Sequence, residues 1–216
     1  MGAVPQSGGQ ASRGRTLAAA AVGILLGVLS GCGGGGRPPE RVQSGAACLA
    51  MLTERGATFE SRGALDGRGS CGITNAVALR ASPAALQGGT TLSCPMALAV
   101  SEFERDIVQP AAQRYLGERV VRMRVLSAYR CDNIAGSGRL SQHAIGQAID
   151  IASFDTARDR ITVQDSWRDR GPRGEFLRAV ARGACTRFAV VLTPNSNRDH
   201  YNHFHLDIGP HQLCSV

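Results

Sequence analysis

The apolar positions of this chain change period along its length, and each change marks a predicted element. An apolar run from Leu17 to Val28 follows Arg13 and Arg15. It is too short to span a bilayer and reads as the core of a cleavable signal peptide. Val42, Ala46, Leu49 and Leu52 then recur at helical spacing and predict a first helix over residues 40–55. Residues 56–72, rich in glycine and charge, predict a loop. Helical spacing returns over residues 95–117, with Leu98, Phe103, Ile107 and Tyr115 facing the core. Pro110 is expected to break or kink that run into two helices.

The period then falls to two. Val121, Met123 and Val125 alternate with Arg122 and Arg124, predicting a half-buried strand within residues 119–129. Ile149 to Ile151 predicts a short strand entering the core, and residues 175–185 a helix carried by Phe176, Leu177 and Val180 and ending near Gly183. Phe188 to Leu192 reads as a compact buried strand stopped by Pro194 and Asn195, and His203 to Ile208 as the last strand. Helices first and strands later predict an α+β fold: a single domain with N-terminal helices packed on a small antiparallel sheet.

Composition adds a compartment. Leu29-Ser30-Gly31-Cys32 is similar to a bacterial lipobox, which implies cleavage before Cys32 and diacylglycerol on its thiol. Residues 1–31 are then a lipoprotein signal peptide, residues 32–44 a Gly/Pro tether and residues 45–216 the domain, long enough for a real core. The expected location is the cell envelope, as a periplasm-facing lipoprotein held to the membrane through Cys32. The other six cysteines, Cys48, Cys71, Cys94, Cys131, Cys185 and Cys214, form no C-x-x-C pair and predict up to three disulfides of open pairing. The formal charge of +7 is carried by arginine alone. It suits an anionic envelope polymer, and no basic run with interleaved aromatics supports a nucleic-acid partner. No feature calls for an obligate protein partner.

Four of the five histidines fall in two short motifs, Ser141-Gln-His143-Ala-Ile-Gly146-Gln-Ala148-Ile-Asp150 and His200-Tyr-Asn-His203-Phe-His205. His211 stands apart. His143 and Asp150 would lie ~23 Å apart on an extended chain, so the backbone must turn back if both hold one metal ion. Gly146 is placed to make that turn, and Ala148 is small enough to pack beneath the site. On the last strand His203, His205 and Asp207 share one face, opposite Phe204, Leu206 and Ile208. That polar face is either a ligand-bearing wall or a solvated strand face. Asp199 and Asp207 are either carboxylates that orient an imidazole or ordinary surface aspartates.

The motif pair resembles that of the zinc peptidases that include D-Ala-D-Ala carboxypeptidases, lysostaphin-type endopeptidases and the sonic hedgehog domain. More closely, the stretch from Ser127-Ala-Tyr-Arg-Cys131 to His203-Phe-His-Leu-Asp207 is similar to the bacterial extensin-like C-terminal domain family, with a likeness running from about Cys48 to Ile208. The resemblance implies a catalytic Zn(2+) held by His143, Asp150 and His205, with the fourth position open to water. It implies a proton-shuttling or oxyanion-binding role for His203 and a substrate-facing role for Arg130, whose plain alternative is a disulfide-flanking surface arginine. Where several relatives carry an acidic base, three residues before the last ligand, this chain has Asn202. The base would then be His203 or His200, or the site is not catalytic. The implied function is zinc-dependent hydrolysis of an amide bond in peptidoglycan stem peptides or cross-links. The competing readings are a non-catalytic zinc-containing cell-wall binding module and an envelope scaffold whose histidines take up metal opportunistically.

Overall fold

In the computed structural model, residues 45–216 are described. The signal peptide, Cys32, the tether and Val42 lie outside them. Helix α1 (Gly45–Glu54) turns Cys48 and Leu52 into the core, one helical turn apart, while Ala46 is exposed. No helix among the described residues is long and apolar enough to cross a membrane.

The first correction follows directly. Residues 56–72 are not a loop, because strand β1 (Thr58–Asp66) occupies most of them and pairs antiparallel with β2 (Gly72–Ser82). β1 is exposed along nearly its whole length, so it carries no hydrophobic alternation to read. Its pairing comes from β2, which buries Ala76, Val77, Ala78 and Leu79, and charged or irregular edge strands of this kind are common. Register shifts near Gly63, at φ +67°, loosen the pattern further. Two short strands, β3 (Ala84–Gln87) and β4 (Thr91–Ser93), follow without a sequence forecast.

The expected break at Pro110 takes another form. Helix α2 (Cys94–Phe103) is capped by Ser93 and continues through a π turn, Glu104–Val108, into α3 (Gln109–Leu116). The Gln109 N–H reaches back to the Glu104 carbonyl, five residues away. Pro110 thus sits in the first turn of α3, and the wider preceding turn relieves the clash its ring makes in a regular helix.

Strand β5 (Arg122–Ser127) buries Met123 and Val125, but Val121 lies just outside it at 47% exposure and Val120 is buried instead. Then come β6 (Ala148–Asp155), β7 (Arg160–Thr162), helices α4 (Val163–Ser166) and α5 (Pro172–Ala184), and strands β8 (Val190–Leu192), β9 (Phe204–Asp207) and β10 (Leu213–Ser215).

The fold is α+β, but the sheet is neither small nor wholly antiparallel. Among the described residues ten strands form it, in the order β1-β2-β3-β5-β6-β9-β8-β10 with β4 on β2 and β7 on β6. β3 and β5 are parallel because α2 and α3 cross over between them, and β10 is parallel to β8. Nor are the core helices only N-terminal, since α5 buries Phe176, Leu177 and Val180. Phe154 of β6 packs edge-on against Phe176, and Phe204 of β9 meets both Phe154 and Trp167. Truncating a buried aromatic costs about 3–5 kcal/mol. A one-residue slip of β9 would expose Phe204 and Leu206 together, so this packing holds its register.

The six cysteines among the described residues pair as Cys48–Cys94, Cys71–Cys131 and Cys185–Cys214. The first joins α1 to α2. The second ties the β1–β2 turn to the segment after β5, and the third ties the end of α5 to β10.

Candidate metal centre

The site is assembled by one tight turn and one strand pairing. A 3₁₀ turn, Gln142–Ile145, is capped by Ser141, whose Oγ accepts from the His143 N–H at 3.3 Å. Gly146 ends it at φ +67°. A Cβ there would fall 2.4 Å from Ile73 Cδ1 and 2.8 Å from the Ser93 nitrogen, so both backbone angle and close packing require glycine. The chain then enters β6, where Ala148 is fully buried and Asp150 lies opposite His205 of β9 and Ser127 of β5. Phe204 and Leu206 point into the core, while His203, His205 and Asp207 face the other way, as period two demands.

Three ligand atoms converge. His143 Nε2 and His205 Nδ1 are 3.2 Å apart, His205 Nδ1 and Asp150 Oδ1 3.0 Å, and His143 Nε2 and Asp150 Oδ1 3.3 Å. Ligands ~2.0–2.1 Å from one tetrahedral ion would be spaced about 3.3 Å apart, so the triangle fits a metal ion of that kind with little adjustment. Partners behind the rings orient them. His143 Nδ1–H donates to the Ala128 carbonyl at 2.6 Å, which leaves Nε2 as a lone pair. His205 Nε2–H donates to Asp207 Oδ2 at 3.1 Å and turns Nδ1 toward Asp150. Asp207 in turn accepts the Gly209 N–H at 2.8 Å.

The electrostatics ask for positive charge at the centre. Burial works to raise the Asp150 pKa, but hydrogen bonds and attraction from His143 and His205 outweigh it and hold the carboxyl well below its ordinary range. Burial would likewise depress His205, yet hydrogen bonds to Asp150 and Asp207 carry it up to about 9. A proton meets that demand in the metal-free domain, and a bound cation would replace it.

The remaining predicted residues line the same cleft. His203 Nδ1–H donates to Asn202 Oδ1 at 2.9 Å, which aims Nε2 toward Asp150 Oδ1, 3.7 Å away. Asn202 therefore steers His203 rather than acting on a proton itself. His200 Nδ1–H donates to Asn197 Oδ1 at 2.7 Å, and its ring centre lies 5.1 Å from that of His203. Burial lowers both imidazoles, His200 to about 4 with help from the neighbouring histidines. Both stay neutral near pH 7 with one nitrogen free to accept. Arg130 reaches the cleft but pairs with Asp132, so its charge is already opposed. Asp199 is exposed, whereas Asp207 is buried against the His205 ring. Cys32 lies outside the described residues.

Some of the lining left no trace in the sequence. His211, set apart in the chain, returns to the cleft rim and accepts a hydrogen bond from Arg139. The Ala128 carbonyl, being backbone, could not be read from residue type at all. No curated protein matches the chain. A family model does match, over residues 46–215, and by that match the chain belongs to the family described as extensin-like protein C-terminus.

Proposed function

We propose that this protein is a zinc-dependent amide-bond hydrolase of peptidoglycan, of D,D-carboxypeptidase or endopeptidase type, working on the cell envelope. The observation that carries the reading is the convergence of His143 Nε2, Asp150 Oδ1 and His205 Nδ1 within 3.0–3.3 Å at the wall of a cleft of about 770 Å³. Zinc bound there would lower the pKa of its water toward ~7 and polarise an amide carbonyl. The chain's own side chains supply the rest. His203 accepts a proton at Nε2 and returns it to the leaving amine, its Nδ1–H steadied by Asn202. His200 is a second acceptor on the same side. The exported disulfide framework, the lipobox-like sequence at Cys32 and the resemblance to zinc peptidases support stem peptides as substrate and the membrane as anchor.

Asn202 favours a second reading, a zinc-containing module that binds cell-wall peptide without turnover, because no carboxylate stands where related peptidases keep one. Mass spectrometry of purified peptidoglycan after incubation with the zinc-loaded protein separates the two. New free amine and carboxyl ends made by the parent protein and not by Asp150→Ala would establish the hydrolase. Sacculi left intact by protein carrying one zinc per chain would rule it out in favour of the binding module.

A further inference from the structure

Two arginines line the cleft, and they are not equivalent. Arg130 is opposed by Asp132. Arg139 has no carboxylate partner among the described residues, and its one side-chain hydrogen bond runs from Nη2 to His211 Nε2 at 2.7 Å. Of the acids along the cleft, Asp150 and Asp207 are engaged by His205, and Asp199 sits beside His200 without contacting Arg139. We infer that Arg139, steadied by His211, binds the free α-carboxylate of a peptide lying in the cleft. The substrate class is then a peptide C-terminus rather than an internal bond. This rests on the proposed function of the same site and narrows it.

The backbone beneath Arg139 is held for such a role. Its N–H donates to Ser137 Oγ at 3.2 Å, and its carbonyl accepts from the Ile134 N–H at 2.8 Å. The hairpin closes through the Asn133–Leu140 bridge, and Cys131 at its base is joined to Cys71. His211 comes from the segment leading into β10, which the Cys185–Cys214 bond anchors. Two stapled segments thus meet at the Arg139–His211 contact. His211 accepts through Nε2, leaving its Nδ1–H as a further donor. A guanidinium with most of its donors unused matches a carboxylate through two parallel hydrogen bonds.

Placement agrees. Arg139 precedes His143 by four residues, so their Cα atoms lie within ~14 Å, the span of a few peptide units. The same cleft is lined by Leu126 and Ile134, which are 55% and 43% exposed despite being large and apolar. An aliphatic residue ending in a carboxylate would cover that surface and satisfy the charge.

The probes are N-acylated D-alanyl-D-alanine and its L,D diastereomer, each as the free acid and as the C-terminal carboxamide. Binding to the zinc-loaded protein is measured by calorimetry, and cleavage by mass spectrometry. The acid should be preferred over the amide by about tenfold or more. Arg139→Gln should bring the acid down to the level of the amide with zinc content unchanged, and Arg139→Lys should keep part of the preference. Equal handling of acid and amide, or a preference that survives Arg139→Gln and vanishes in Arg130→Gln, overturns the inference. If intact sacculi are cut while neither peptide is bound or cut, the inference fails and the hydrolase reading stands. If zinc-loaded protein neither binds nor cuts any of these, both fall.

Discussion

Asp150 and Glu104 are carboxylates buried in the same domain, one on the sheet face turned to the cleft and one in the π turn between α2 and α3. Glu104 is hydrogen-bonded by amides alone, and Arg119 acts on it only as a weaker, non-bonded attraction. Its Oε1 accepts from the Ala84 N–H at 2.9 Å and from Gln109 Nε2 at 2.6 Å, while its Oε2 has no partner. Burial outweighs these bonds and the Arg119 attraction, and raises its pKa to about 7. Asp150 is also buried, yet two imidazoles beside it hold it ionised. Burial therefore does not settle the charge of an interior carboxylate here. What settles it is whether the groups hydrogen-bonded to the carboxylate can carry positive charge. A site built that way is prepared for a cation, whereas one built from amides accommodates a proton.

The strongest way to break this contrast is at the metal. Asp150→Ala and His143→Ala should each take zinc from one per chain to none by elemental analysis, while Glu104→Gln should leave it at one. Full zinc in both cleft variants would remove the ligand assignment. Next in size is a pH effect confined to the other carboxylate. The folded pKa of Glu104 is raised from 4.5 to about 7, so the folded state holds a proton that the unfolded state gives up. Its contribution is fully present below pH 4.5 and is lost as pH rises through 7, a swing of about 3 kcal/mol. Denaturant titrations of metal-free protein across that window should show the parent losing stability relative to Glu104→Gln. A difference independent of pH would mean that Glu104 is already ionised and the contrast is false.

Asp207→Asn should weaken zinc about 10–100-fold in chelator competition, because the carboxylate that orients His205 is gone while Gly209 keeps an acceptor. Unchanged affinity would show that the imidazole is held by packing alone. The smallest effect belongs to Ser141→Ala, which removes the cap of the 3₁₀ turn carrying His143 and should cost about 1 kcal/mol in thermal or denaturant unfolding.

Much of the wall carrying His143, Asp150 and His205 was legible because it depends on local rules. Gly146 announces a reversal that brings His143 and Asp150 together, and period two on β9 separates histidines from core residues over a few positions. The β1–β4 region was not legible for the converse reason. β1 is an exposed edge strand, and its structure lies in pairing with β2 rather than in any pattern of its own. Val121 misled because alternation shows which residues share a face, not where the strand begins to be covered.

The sequence by itself determined the α+β class, the cysteine count for three bridges, the turn at Gly146 and the face of the last strand that carries the histidines. These follow from backbone sterics and side-chain periodicity within a few residues. Only the tertiary structure decided the ten-stranded mixed sheet, the disulfide pairing, the steering of His203 by Asn202, the pairing of Arg130 with Asp132, and the return of His211 to Arg139. Several of these join positions tens of residues apart, and others turn on which way a side chain faces. Local periodicity carries no information about which distant segment will complete a charge or a hydrogen bond.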